Sequence, residues 1–411
     1  MMKAMDEING INIQAFSNDI LANMTDNILP YWTGKMVDEE HGGFYGRRDG
    51  YDNLVPDAPK GAILNARLLW SFAAAYRVTR RAEYLDMAQR AKRYIIDHFY
   101  DPEFGGVYWS LNADGTPLDT KKQFYAIGFA IYGLSEFARA TGDEEALDYA
   151  IRLFHDIENH SRDRVNGGYI EACTREWGEI ADMRLSDKDA NEKKTMNTHL
   201  HIIEPYTNLY RVWRDPELRE AIEHLMHIFF DIMEDPVTHH LGLFFDEEWN
   251  RHDGEQSFGH DIEASWLLME TALVLDDKGI IENALAHTRR IAEAALEGLC
   301  PDGSMVYEQH ADGSRCNERH WWVQAECVIG LVYLYHYHGV KEALPMAMHT
   351  WNYIKENIVD HEGGEWYWSR LAAPANGSTI NRNDDKAGFW KCPYHNSRMC
   401  LEVHTLLTPT K

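Results

Sequence analysis

Nothing in this chain approaches the roughly 18 consecutive apolar residues that a membrane-crossing helix requires. Cysteine is sparse, with six residues at positions 173, 300, 316, 327, 392 and 400 and no CxxC pair. Such scatter excludes a disulfide framework and predicts free thiols in a reducing compartment. Positive charge is also short: 40 Lys and Arg face 66 Asp and Glu, a net charge of −26. A field of that sign repels phosphate backbones and anionic lipid surfaces, which argues against nucleic acid or membrane partners and suits a neutral or cationic small molecule. The opening residues Met1 to Glu7 lack the apolar core and small-residue cleavage site of a signal peptide, so a cytoplasmic protein is expected. No linker rich in Pro, Ser or Gly divides the chain, and residues 1–411 read as a single domain.

What the sequence does have is repetition. A glycine signal followed by aromatic or β-branched residues returns about every sixty residues, with one longer step in the middle. The copies are Gly42-Gly43-Phe44, Gly105-Gly106-Val107, Gly167-Gly168-Tyr169, Gly242-Leu243-Phe244, Asp302-Gly303-Ser304 and Gly363-Gly364-Glu365. Each reads as a short β-hairpin. Before it comes a one-sided amphipathic helix, as at 12–32 and 216–233, the latter opened by Asp215-Pro216. After it comes a helix apolar on nearly every face, near 60–78, 119–140, 196–213, 258–275, 320–337 and 394–408. A helix apolar all round must be buried. Six exposed–buried pairs that bury their faces by stacking predict an all-α (α/α)6 barrel with short hairpins at one end. The polar stretch 175–195, containing Asp182, Arg184, Asp187, Lys188 and Asp189, is expected to cover a pocket mouth.

Near the starts of the buried helices stand Arg67, Tyr125, His201 with Glu204, His260 with Glu263, Trp322 with Glu326, and His395, at steps of 58, 76, 59, 62 and 73 residues. In a closed ring, equivalent positions converge on the axis at one end. The expected result is a pocket of three histidines, an arginine and aromatic platforms. A single histidine on an apolar helix is usually a hydrogen-bonded core residue, and a His-x-x-Glu pair can be a structural ion pair. Repetition raises the weight of the catalytic reading. His199 and His201 diverge by ~200° on a helix, which disfavours a shared metal. Histidine titrates near neutral pH, so two of them on opposite faces of a carbon could remove a proton and return one, with an arginine holding enediolate charge. Sugar rings stack on indoles, and Trp322 and Trp390 are the expected platforms.

The runs Lys194-Thr195-Met196-Asn197-Thr198-His199-Leu200-His201, Phe258-Gly259-His260-Asp261-Ile262-Glu263-Ala264-Ser265-Trp266 and Phe389-Trp390-Lys391-Cys392-Pro393-Tyr394-His395-Asn396 resemble those of the cellobiose 2-epimerase family, a branch of the N-acylglucosamine 2-epimerase superfamily. The resemblance implies interconversion of glucose and mannose at the reducing end of β-1,4-linked disaccharides, without metal, nucleotide or other cofactor. It implies His260 and His395 as the two-base pair, His201 and Arg67 on the enediolate oxygens, and Glu263 orienting His260. Tyr125, Asn197, Trp322, Glu326 and Trp390 would position the sugar, and Asp189 would reach it near the entrance. A small-molecule substrate and a monomer or weak homodimer are expected. Alternatives are a mannobiose 2-epimerase, an N-acylglucosamine 2-epimerase or a mannose isomerase, and more remotely an inverting glycoside hydrolase.

Overall fold

The computed structural model describes residues 7–8, 11–186, 189–252, 254–371 and 379–408. Its helices alternate between an outer and an inner layer. Outer α1 (Ile13–Asn23) runs through a π turn into α2 (Leu29–Lys35), followed by inner α3 (Ala62–Thr79). Outer α4 (Ala82–Tyr94), α6 (Glu144–His160), α8 (Pro216–Ile228), α10 (Lys278–Ala295) and α12 (Ala343–Asn357) then alternate with inner α5 (Phe124–Thr141), α7 (Met196–Val212), α9 (Phe258–Leu275), α11 (Trp321–His336) and α13 (Tyr394–Leu407). The inner helices are buried almost throughout, whereas the outer ones bury a single stripe, as the apolar patterning predicts. Asp143, Asp215 and Asp277 cap three of the outer helices through backbone N–H groups of the first turn.

The ring closes through contacts between its ends. Ser17 Oγ lies 2.9 Å from His404 Nδ1 on the last helix, and Asn27 Nδ2 donates to the Asp360 carbonyl at 2.9 Å. Trp32 also donates its indole N–H to Glu365. One continuous core of buried apolar side chains runs from Ile13 to Val403.

Five of the six outer segments end in a tight turn made by an aspartate. Asp38, Asp101, Asp163, Asp235 and Asp360 accept from backbone N–H groups two and three residues on. The turn then needs left-handed backbone, which Gly42 and Gly43 supply with φ of 76° and 61°. A Cβ on Gly43 would stand 2.7 Å from the Tyr94 ring. In the fourth unit His239 takes the left-handed position instead, at φ 64°. A buried lysine staples three turns to the next inner helix: Lys60, Lys122 and Lys194 bind Asp38, Asp101 and Asp163 at 2.7, 2.9 and 2.8 Å.

The short strands pair differently from a chain of local hairpins. Across the glycine turn itself there is an isolated bridge, such as Val37 with Phe44 or Tyr100 with Val107. The second and sixth units add a local hairpin, Ser110–Leu111 with Pro117–Asp119 and Ser369–Leu371 with Thr379–Ile380. The short strand before each of the first five inner helices pairs with the following unit, as in Lys60–Gly61 with Ser110–Leu111, Lys122–Gln123 with Ala172–Cys173 and Lys194–Thr195 with Phe244–Phe245. These cross-unit ladders satisfy the backbone just before each inner helix and hold neighbouring helix starts level with one another.

Candidate active site

The residues facing the axis occupy two levels rather than one. At the second helical position lie Tyr125, Asn197, Trp322 and His395, with His260 at the third. One turn deeper, at the sixth position, lie Arg67, His201, Glu263 and Glu326. Four residues make about one helical turn, so both sets share a face some 5–6 Å apart along the axis. The deeper ring carries the charge and the shallower one carries the aromatic surface.

Ten of the eleven sequence-predicted residues line one cavity of about 420 Å³: Arg67, Tyr125, Asp189, Asn197, His201, His260, Glu263, Trp322, Trp390 and His395. A second compartment of about 390 Å³ shares Asp189, Asn197 and His260 with it, so the two are continuous. Leu185, Ser186 and Asp189 bring the 175–195 stretch over the cavity, as expected. Asp187 and Lys188 of that stretch lie outside the described residues. Asp189 Oδ2 accepts from the N–H and Oγ of Ser186, both at 2.9 Å.

The three histidines are each held through Nδ1. His201 Nδ1 lies 2.8 Å from Glu204 Oε2, and His395 Nδ1 lies 2.7 Å from Glu326 Oε1. His260 Nδ1 lies 2.7 Å from Ser257 Oγ. Nε2 is thereby left as the nitrogen available to a bound molecule. The Trp322 indole packs beside both predicted bases, 4.9 Å from the His260 ring and 5.6 Å from the His395 ring. Arg67 donates to the Tyr125 hydroxyl at 2.9 Å and lies 4.2 Å over the Phe129 ring. Its Nε, and the Asn197 Oδ1, are buried polar atoms without a hydrogen-bond partner among the described residues. Orphans of this kind at a cavity wall are what a bound polar ligand would satisfy.

The family model for N-acylglucosamine 2-epimerase matches residues 43–391. A cellobiose 2-epimerase from Bacteroides fragilis is 58% identical over 404 residues, covering 97% of this chain and 99% of its own length. One from Ruminococcus albus is 40% identical over 394 residues, covering 94% and 98%. The solved structure of cellobiose 2-epimerase from Bacillus thermoamylovorans B4167 superposes with a TM-score of 0.89 at 37% identity, covering 95% of this chain and 99% of that one. The chain belongs to the N-acylglucosamine 2-epimerase family.

Two assignments made from the sequence change within this epimerase site. Glu263, expected to orient His260, instead accepts from Arg398 Nη2 at 2.7 Å and stands 3.8 Å from His395 Nδ1. The cation decides it, because a buried carboxylate goes to the guanidinium in reach. Glu326, expected to position the sugar, has both oxygens engaged. Oε1 meets His395 and Arg398, and Oε2 accepts from the Trp266 indole N–H at 2.8 Å. It lies behind His395 and does not line the cavity, so its place is that of the group orienting His395.

Arg398 was not legible as a site residue in the sequence. It is fully buried, joins Glu263 and Glu326 at 2.7 Å each, and meets Glu204 and the Tyr394 hydroxyl with its other amino group. Its signal was available: an arginine one turn after His395, in the half of that helix that is wholly buried. Glu263, Glu326 and His395 stand close enough to share a metal ion. The Arg398 guanidinium already supplies a positive charge to both carboxylates, so that donor set fits a resident cation poorly. His199 is likewise accounted for: its Nε2 accepts from the Tyr169 N–H at 2.9 Å, and its Nδ1 faces the Thr195 carbonyl at 2.7 Å.

Electrostatically the epimerase pocket keeps its imidazoles neutral. Burial lowers His260 to about 3, and burial together with the Arg67 and Arg398 cations holds His395 well below its ordinary value. Burial also lowers His201, outweighing the Glu204 carboxylate. Burial and the neighbouring Glu326 push Glu263 well above the usual carboxylate range. Burial would raise Glu204 too, but Arg398 and the His201 hydrogen bond win and hold it low. The site therefore presents imidazole bases beside cations that can receive developing negative charge.

Proposed function

We propose that this protein is a disaccharide 2-epimerase, inverting C2 of the reducing-end sugar of cellobiose and related β-1,4-linked disaccharides. One observation carries the reading. Two neutral imidazoles from different units, His260 and His395, line a single cavity and both pack against one indole, each with Nε2 available.

The chemistry starts from the open-chain aldehyde. One imidazole Nε2 removes the C2 proton, and the C–H electron pair moves into a C1–C2 double bond while O1 takes the negative charge. Arg67 and His201 hold the enediolate oxygens, a stabilisation that grows as charge develops. The second imidazole, after taking a proton from solvent at Nε2, delivers it to the opposite face, which converts gluco to manno configuration or the reverse, and the first releases its proton to solvent. Trp322 and Trp390 serve as stacking surfaces, Tyr125 and Asn197 as hydroxyl partners, and Asp189 as a contact near the entrance. Glu326 and Ser257 hold the two bases. Glu263 faces the cavity with its elevated proton affinity and suits proton transfer to the ring oxygen on opening. Every group named comes from one chain, so the reaction asks nothing of a second subunit. Six free thiols fit a reducing cytoplasmic setting, and no helix among the described residues is long and apolar enough to cross a membrane.

Mannobiose as the preferred substrate uses the same chemistry and differs only in starting configuration. An inverting hydrolase would need two carboxylates separated across the scissile bond. Here Glu263 and Glu326 gather on one guanidinium nitrogen, which disfavours that reading. The test is NMR of cellobiose, lactose and mannobiose incubated with the protein in D2O. The expected product is the C2 epimer carrying deuterium at C2. Free glucose would mark a hydrolase, and epimer without deuterium would exclude a solvent-exchanging two-base route.

A further inference from the structure

Among the three inward histidines, His260 is held in a different way. His201 and His395 each present Nδ1 to a carboxylate, which accepts and never donates, so both are confined to the Nδ1–H tautomer. His260 presents Nδ1 to a hydroxyl, Ser257 Oγ, at 2.7 Å. A hydroxyl can take either side of the hydrogen bond. Ser257 is also the N-cap of α9, and the same Oγ accepts from the His260 backbone N–H at 3.4 Å. One short segment therefore sets both the helix start and the imidazole.

We infer that Ser257 is a positioning residue that lets His260 change tautomer during the proposed reaction, while His395 and His201 stay fixed. The inference rests on the epimerase reading and deepens it. In one state the ring donates Nδ1–H to Ser257 Oγ, whose two lone pairs are then both used, and Nε2 is a base towards C2. When Nε2 takes the C2 proton, the imidazolium keeps its Nδ1–H on the serine. In the other state the serine O–H turns to donate to Nδ1, and Nε2–H faces the sugar as a donor to an enediolate or hydroxyl oxygen. Switching between the neutral states moves a proton from one ring nitrogen to the other through bound solvent or substrate hydroxyls, with no change in charge. The surroundings suit such a switch. The neighbouring rings are Trp322 and Tyr307, at 4.9 and 6.1 Å, and neither carries a charge to pin one tautomer.

The test uses four variants of the full chain assayed on cellobiose. Ser257→Ala removes the hydroxyl and the cap; Ser257→Gly removes the hydroxyl but caps nearly as well. Ser257→Asp caps well yet offers a carboxylate like those on His201 and His395. Ser257→Thr keeps the hydroxyl. The expected result is a kcat loss of about tenfold or more for Ala, Gly and Asp, with KM within about twofold and near-normal activity for Thr. ¹⁵N spectra of His260 should show mixed tautomers in the wild type and the Nδ1–H form alone in Ser257→Asp. Wild-type kcat in Ser257→Asp would overturn the switch, because simple orientation would then suffice. Near-normal kcat in both Ala and Gly would remove Ser257 from the reaction altogether. Absence of C2 epimerisation by the wild type on all three disaccharides would instead strike the epimerase reading, which separates the two failures.

Discussion

Replacing Arg398 by methionine probes the charge cluster on which the site is built. The guanidinium is fully buried and touches Glu204, Glu263 and Glu326 at once. Removing one partner from a buried ion pair strands the remaining charge and costs about 3–5 kcal/mol. With an unfolding entropy of about 2.1 cal/mol/K per residue, a chain of 411 residues has roughly 0.86 kcal/mol/K at its midpoint, so Tm should fall by about 3.5–6 °C. The loss should depend on pH. In the wild type Glu204 is held low, so its contribution is present above its unfolded value and lost as pH falls through the folded one. Without Arg398 the buried Glu204 carboxyl is raised, and its protonated form is the stable one. Stability of the variant is then lost as pH rises, and its deficit relative to the wild type should be larger in mildly alkaline than in mildly acidic buffer. Calorimetry or thermal unfolding by circular dichroism at both pH values measures this. A deficit under about 1 °C, or one equal at both pH values, would refute the dependence of the buried Glu204 carboxylate on this cation.

His260→Asn and His395→Asn should each lower kcat by roughly 10²–10⁴-fold, with Tm shifted by only a few degrees. Glu326→Gln should lower kcat by roughly 10–100-fold with KM unchanged, since the carboxylate holds His395 and has no oxygen left for a sugar. A rise in KM at constant kcat would return Glu326 to the substrate contacts. Gly259→Ala would place a Cβ 2.8 Å from the Trp322 ring and 2.9 Å from Val323. It should displace the indole beside the two bases, so steady-state kinetics should show a raised KM and a reduced kcat.

Much of the fold was legible because it is periodic. Six apolar helices at a common spacing, with one-sided helices between them, leave closure into a ring as the way to bury every apolar face. The inner helices α7 and α9 fall within a residue of the ranges read from the pattern, and α5 starts later because residues 122–123 are drawn into the cross-unit ladder. The aspartate turn was overlooked, although Asp38, Asp101 and Asp163 each stand four residues before a glycine pair and Asp360 stands three before one. The histidines were found because His201, His260 and His395 recur at the repeat's spacing near the starts of the buried helices.

By itself the sequence determined which side chains reach the axis and at which end, because helical phase and repeat length are local properties of the chain. Only the tertiary structure decided who holds whom. Glu263 lies three residues from His260 yet turns to Arg398, 135 positions away. Glu326 serves His395 across 69 positions, and Ser257 takes the place beside His260. Pairing inside a buried ring follows distance, charge and the cost of leaving a charge unmatched, and those are set when helices from different units are brought together.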